Sequence, residues 1–387
     1  MRKTLLVLTI ILLAVSMTFV ACKHEPTPVE TGDDGFLHVS TFTDFVKGLT
    51  SAKKTESKTL VLDADIEWDA VKYPGGADVT VEEETVPLFS KGGTVKLTKP
   101  LRPNENALSV DVTGITIDLG GHKITGVPTN AFNLKGDSFT LKNGSILGAG
   151  DNAKYSININ YNGRNATTSN GMKELALDRA PAAYTESDPA WKKRITITDL
   201  TATGMLCGYS TVEIKNCTFT GGTYRGLVLQ GSSGIVENLT VTTAESASSA
   251  GFVAHSYGTA LLKGTCDIKG KFGLYSANCA TLNIDSAAAV TAGGFGTFAL
   301  YIETQGKVAV GGGATLTSKP AAGQESFNLA KGGMLTIAAG AILKDAEGAA
   351  MAKPIPAAAI KNDGANGSAD ASWAGSGAAP TITDNRT

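Results

Sequence analysis

The stretch NALSVDVTGITIDLGGHKITG, residues 106–126, is followed by NAFNLKGDSFTLKNGSILGAG, residues 130–150. Both run through one phrase: a short apolar strand, a polar or Gly turn, a β-branched strand with alternating inward residues, and another turn. The phrase recurs along the chain. It appears as YSININ (155–160), resuming as RITITDLTATG (194–204), and then as GMLCGYSTVEIKNCTFTGG (204–222) and RGLVLQGSSGIVENLTVTTA (225–244). AGFVAHSYGTALLKGTCDIKG (250–270), FGLYSANCATLNIDSAAAVTAG (272–293), FALYIETQGKVAVGGGATLTS (298–318) and FNLAKGGMLTIAAGAILKD (327–345) continue it.

Anchoring each phrase on its first apolar residue places Leu108, Phe132, Leu206, Leu227, Phe252, Leu274, Leu300 and Phe327 at equivalent positions. Apart from the Phe132–Leu206 step, which holds one further phrase and an insertion, neighbours are spaced 21 to 27 residues apart. A near-constant period with slippage in the turns describes a solenoid, each unit too thin to bury its own apolar face. A leucine-rich repeat requires leucines where this chain has Val, Ile, Thr and Gly, and a left-handed hexapeptide helix requires a stricter, shorter period. Alternation in Val212/Ile214/Asn216, Leu282/Ile284/Ser286, Val308/Val310/Gly312 and Leu335/Ile337/Ala339 predicts strands. Ile214 is expected to be fully buried between coils. Asn143, Asn216 and Asn238 share a turn-entry position. They form either a hydrogen-bonded ladder inside the coils or plain exposed turns, with Asp199 and Gly264 as interruptions.

Ile115-Thr116-Ile117-Asp118-Leu119-Gly120-Gly121-His122-Lys123-Ile124 resembles a coil of the right-handed parallel β-helix proteins, the pectin-lyase-like superfamily. The N-terminal piece is similar to the cap of those proteins. Thr41 with Asp44 three residues on offers a helix start, and Phe42, Phe45, Val46 and Leu49 fall on one helical face. Thr59-Leu60-Val61-Leu62 follows as the first strand. The resemblance, over residues 36–345, implies an all-β right-handed parallel β-helix solenoid with a short N-terminal capping helix. It implies no single activity, because the fold carries lyases, hydrolases, adhesins and passive stalks.

The N-terminus sets the compartment. Met1-Arg2-Lys3 is basic, Thr4 to Val20 is almost wholly apolar, and Phe19-Val20-Ala21-Cys22 resembles a bacterial lipobox, with Phe19 where Leu is usual. That resemblance implies cleavage before Cys22 and lipidation of its thiol, hence attachment at the outer membrane or cell surface. Residues 1–21 are then a signal peptide and 22–35 a flexible tether. Residues 36–70 are the cap and first strand, 71–361 the β-helix with an insertion at 161–194, and 362–387 a polar end or disordered tail. The whole chain has a formal charge of −2, and loss of Arg2 and Lys3 makes it more negative, so no nucleic-acid partner is expected. Cys207, Cys217, Cys266 and Cys279 match no zinc spacing and read as structural. No cofactor or metal is expected.

Lyases of the resembling family pair a calcium-binding acid cluster with an arginine, and its hydrolases cluster aspartates. Here Asp111 and Asp118 share one coil without acidic equivalents in the next, Glu213 and Glu237 read as solvated, and His122 reads as a turn residue. No catalytic residue is assigned. The insertion is the first binding candidate: Tyr161, Arg179, Tyr184, Trp191 and Arg194 could offer stacking rings and cations to a glycan, or pack on the stack instead. The second is the outward column of Tyr275 and Tyr301, with His255 and Glu303 nearby. The expected function is a structural or binding lipoprotein, adhesin-like or carbohydrate-binding, with the membrane and a glycan or host or cell-surface protein as partners. The alternative is a polysaccharide lyase or glycoside hydrolase.

Overall fold

The computed structural model describes residues 29, 31–52, 58–76, 81–88, 92–100, 106–150, 154–160, 169–222, 224–243, 250–295, 297–364 and 379–386. Cys22, the residues 1–21 expected to form a signal peptide, and Tyr161 lie outside them. The chain is an all-β parallel solenoid of about ten turns. From Leu108 onward each coil contributes one strand to a ten-stranded first sheet, running from Leu108–Asp111 and Phe132–Lys135 to Phe327–Ala330 and Ile360–Gly364. It then contributes to two further rows, such as Thr281–Ile284 in the second and Ala289–Gly294 in the third.

Register explains the composition. In the second row Leu37, Leu60, Ile117, Leu141, Ile197, Ile214, Val236, Leu262, Ile284, Val310 and Ile337 stand one above another. Strands stack at ~4.8 Å, so each aliphatic group is covered by the coils on either side. Ile214 is fully buried, as its place in the alternation requires. Burying such a side chain stabilises by roughly 1.5–3 kcal/mol, and the column repeats that gain at every rung. The outward residues between them are polar over the first coils: Thr116, Thr140, Thr196 and Glu213 align, and Lys142 pairs with Asp118 at 3.0 Å.

The anchors of the first sheet hold except at one coil. Met205, not Leu206, aligns with Leu227, so Met205 and Cys207 point inward and Leu206 outward. Three apolar residues in succession hid the slip, since a one-residue shift exchanges the faces.

The Gly-Gly turn of the IDLGGH phrase has a steric cause. Gly120 sits at φ +58° with the Leu62 carbonyl oxygen only 2.5 Å from where a Cβ would be. Asp118 accepts from the Gly120 N–H at 2.9 Å and the His122 N–H closes the turn on Leu119. His122 faces Asp65, Nδ1 to Oδ1 3.3 Å.

The asparagine ladder exists, on the outside of the corners rather than within the coils. Asn143, Asp199, Asn216 and Asn238 all adopt positive φ, and Gly264 does the same at the next coil. Asn143 Nδ2 donates to Asp118, Asn216 Nδ2 to Asp199 at 3.1 Å, Asn238 Nδ2 to Asn216 at 3.0 Å, and the Thr265 N–H to Asn238. Asp199 ends the run as its last acceptor, and Asn143 bonds to Asp118 instead of to Asp199, so the ladder is interrupted between these two coils, as the sequence led one to expect. Asn and Asp tolerate the left-handed region better than other side chains, which is why they occupy this corner.

The helix Phe42–Ser51 is N-capped by Thr41, whose Oγ1 accepts from the Asp44 N–H at 3.1 Å. Phe45 and Leu49 are buried in the core, with the Phe45 ring 6.0 Å from Phe132 and Phe42 5.0 Å from Trp68. The helix packs on Leu37–Val39 and Thr59–Leu62, so Leu37–Val39, not Thr59–Leu62, opens the stack.

Three segments depart from the sequence reading. Val81–Pro87 and Thr94–Pro100 form an antiparallel hairpin instead of a coil. Thr31 bridges to Leu37, so the last residues of the tether are docked. Thr381–Asp384, within the segment read as a tail, adds a strand beside Met334–Ile337. Its Asp384 ends the aliphatic column below Ile337 and meets Arg386 Nη2 at 2.7 Å. Cys207, Cys217, Cys266 and Cys279 are free, and burial pushes the Cys217 thiol up to about 11.

Candidate functional site

The insertion leaves the first sheet after Ile157–Asn160 and rejoins the stack in the second row at Ile195–Ala202. It contains a helix, Ser169–Arg179, and a short helix, Pro189–Lys192. Asp188 organises the second: it accepts from the N–H groups of Ala183, Trp191, Ala190 and Ala182, which hold its carboxyl below the usual range. Trp191 is 4 % exposed, its ring edge-on to Tyr184 at 5.4 Å. Arg194 lies 4.7 Å over the Trp191 ring and is held by Glu213 at 2.6 Å and Glu186 at 2.8 Å. Arg179 is buried, and its carbonyl accepts from Thr211 Oγ1 at 2.6 Å. Leu175 packs on the buried Tyr209 with Met172 and Val95, so insertion and hairpin together cover the next corner. Trp191 and Arg194 thus pack on each other and on Glu213, and Arg179 is buried as well, so the three do not present an exposed platform. The driving force is plain: an indole this large gains more from burial than from standing in water.

The outward column on the first sheet is different. Leu274 and Leu300 face the core, so Tyr275 and Tyr301 between inward neighbours face out and stand directly above one another. Their rings stack at 5.3 Å with planes 12° apart. Both hydroxyls donate to one carboxylate, Tyr275 to Glu303 Oε1 and Tyr301 to Oε2 at 2.9 Å. Burial, with Glu303 beside it, pushes the Tyr275 phenol up. Phe272 and Phe298 extend the row, Phe272 lying 5.1 Å from Tyr301.

Further along the same outer face Val228 and Val253 are buried among Tyr155, Leu206, Tyr224 and Tyr275. Cations lie over the rings: Arg225 over Tyr224 at 4.8 Å, Lys271 over Phe272 at 5.7 Å and Lys361 over Phe298 at 5.3 Å. His255 accepts at Nε2 from Asn278 Nδ2 at 2.8 Å; burial, with Arg225 nearby, lowers its pKa to about 4, so it is neutral at pH 7. Of the second candidate column, Tyr275, Tyr301 and Glu303 are in mutual contact, whereas His255 bonds to Ser256 and Asn278. Phe272, Phe298 and Arg225 were missed, although each opens a strand or precedes one by a fixed offset.

Among the described residues no group of three or more His, Cys, Asp or Glu has the arrangement to hold a metal ion. Asp118 is occupied: burial would raise its pKa, but the Gly120 N–H, Lys142 and Asn143 outweigh it and lower it. No family model, curated protein or solved structure matches the chain.

Proposed function

We propose that this chain is an exported lipoprotein anchored through Cys22, with a β-helix of the pectin-lyase-like kind that presents the outer face of its first sheet to a glycan at the outer membrane or cell surface. The anchor reading rests on the basic start, the apolar run and the Phe19-Val20-Ala21-Cys22 phrase. The binding reading rests on one observation: stacked Tyr275 and Tyr301 with both hydroxyls fixed on Glu303, in a row with Phe272 and Phe298. Sugars present apolar C–H faces and a rim of hydroxyls. A row of ring edges with oriented polar tips is complementary to both, and such fixed polar groups on an apolar surface are what define binding sites. A cell-surface protein, as for an adhesin, would use the same row, since tyrosines dominate protein interfaces too.

The test is a glycan-array screen of the chain lacking residues 1–22, repeated with Tyr301→Phe and with the melting temperature of both proteins. Losing the Tyr301 hydroxyl should weaken binding by about tenfold and leave melting within a degree or two. Ligand binding indifferent to this change and to Tyr275→Phe overturns the reading. For the anchor, Cys22→Ser should abolish incorporation of labelled fatty acid; continued labelling refutes it.

A further inference from the structure

The N-terminal edge of the stack is covered by its own hairpin. Thr31 bridges antiparallel to Leu37, the Gly32 N–H donates to the Phe36 carbonyl at 2.8 Å, and the turn closes from Gly35 N to Gly32 O at 3.0 Å. Val29 packs on the core just before it. Leu37 and Val39 point inward, so His38 between them points out. Its ring spans two elements. Nδ1 lies 2.8 Å from Asp63 Oδ1, at the end of the second strand, and Nε2 lies 3.0 Å from Asp34 Oδ2, in the hairpin turn.

Carboxylates can only accept, and a neutral imidazole has one N–H to give. Only the imidazolium satisfies both contacts; in the neutral ring one nitrogen lone pair would face a carboxylate oxygen. We propose that His38, held between Asp34 and Asp63, is a pH-sensitive latch that fastens the hairpin 31–37 over the free edge of the first strand. Strand edges invite pairing with other chains unless covered. Protonated, the ring ties turn, first strand and second strand together. Deprotonated, it releases one of the two carboxylates and the hairpin opens more often.

The charged groups facing the ring are Asp63 and Asp34. Asp65, two residues on, is engaged by His122 and the Lys123 N–H. Hydrogen bonds to Asp63 and then Asp34 raise the His38 pKa above its ordinary 6.5, and the Phe36 N–H and His38 lower that of Asp34. A raised folded-state value means the latch contributes fully below the unfolded pKa and is lost as pH rises through the folded one. The latch lies several coils from Tyr275 and Tyr301, so it stands or falls apart from the binding face.

The experiment uses the solubilised full chain. Hydrogen exchange of the amides of residues 31–38 is followed from about pH 5 to about pH 9, at times scaled for intrinsic exchange, beside an NMR titration of the histidine rings. Protection should fall several-fold as the His38 ring deprotonates, with its midpoint above 6.5. In His38→Gln the protection should no longer depend on pH, and in Asp34→Asn the His38 midpoint should drop. A His38 midpoint at or below 6.5, or the same pH dependence in His38→Gln, overturns the latch.

Discussion

At the scale of single residues, the corners carry the information that the strands do not. Among the described residues thirteen non-glycines adopt positive φ, including Tyr209, Tyr257, Cys279, Thr304 and Lys331 at the corner leaving the first sheet. Such residues cost of order 1–3 kcal/mol each and persist where their surroundings hold them. Here the hold is the coil above: the N–H of Tyr257 donates to the Asn278 carbonyl and that of Cys279 to Thr304. Gly264 shows the opposite constraint. It has φ +63° and its missing Cβ would lie 2.2 Å from Asn238 Oδ1. Gly264→Ala should therefore break the ladder and destabilise by more than about 1 kcal/mol, read as a shifted denaturation midpoint. An unchanged midpoint would show that the corner relaxes freely. His255 makes a pH prediction. Its folded pKa, about 4, lies below the unfolded value near 6.5, so its neutral burial stabilises the chain above 6.5 and that contribution disappears as pH falls towards 4. His255→Gln should lose less melting temperature than the wild type between these two pH values; an equal loss in both would assign the acid sensitivity to other groups.

At the scale of elements, alternation made the coils legible and burial made the insertion illegible. Ile214, Leu282 and Val310 could be assigned inward because their neighbours on both sides were polar or small. Met205-Leu206-Cys207 offered no such contrast, and the register slipped there. For Trp191 the sequence left two readings open, a ring offered to a ligand and a ring packed on the stack, because aromatic and charged residues in a long loop suit both. What the sequence could not show was that Asp188 caps a four-residue helix and turns the indole inward, where Arg194 closes over it. The thermodynamic prediction follows. Trp191→Ala removes a buried indole and should cost about 3–5 kcal/mol of the insertion's docking, visible as a lower melting temperature or as early loss of protection in residues 169–194. Unaltered melting with altered ligand binding would return the ring to a recognition role. The Tyr275–Tyr301 pair was legible for the reason the insertion was not: equal positions in successive phrases stack whatever else they do.

At the scale of the whole molecule, the coils are alike inside and unlike outside. The second row faces outward with threonines and ion pairs in its first half, whereas the first sheet carries the aromatic row, so the exposed aromatic chemistry is laid along one side of the axis. The two ends differ as well. One is covered by the helix Phe42–Ser51 and the hairpin at His38; the other is closed by Arg386, which donates to the carbonyls of Met351 at 2.7 Å and Ala352 at 2.8 Å while holding Asp384. Arg386→Ala would strip Asp384, at the foot of the aliphatic column, of its guanidinium partner and leave it the backbone N–H and the field of Lys353. Loss of a partly buried charge partner is expected to lower stability by about 3 kcal/mol or more, measurable by thermal unfolding at neutral pH. A wild-type melting temperature in that variant would mean that the last coil adds nothing to the stack.

That terminal pair has a consequence for growth. Parallel coils on a common aliphatic column are an open-ended lattice in one dimension: any further strand with an aliphatic residue at the right rung could join. A carboxylate at the final rung, already matched by a guanidinium from its own chain, presents an arriving strand with a charge where the lattice demands a methyl group. In this row, extension past Asp384 is thus opposed by charge rather than by want of a partner.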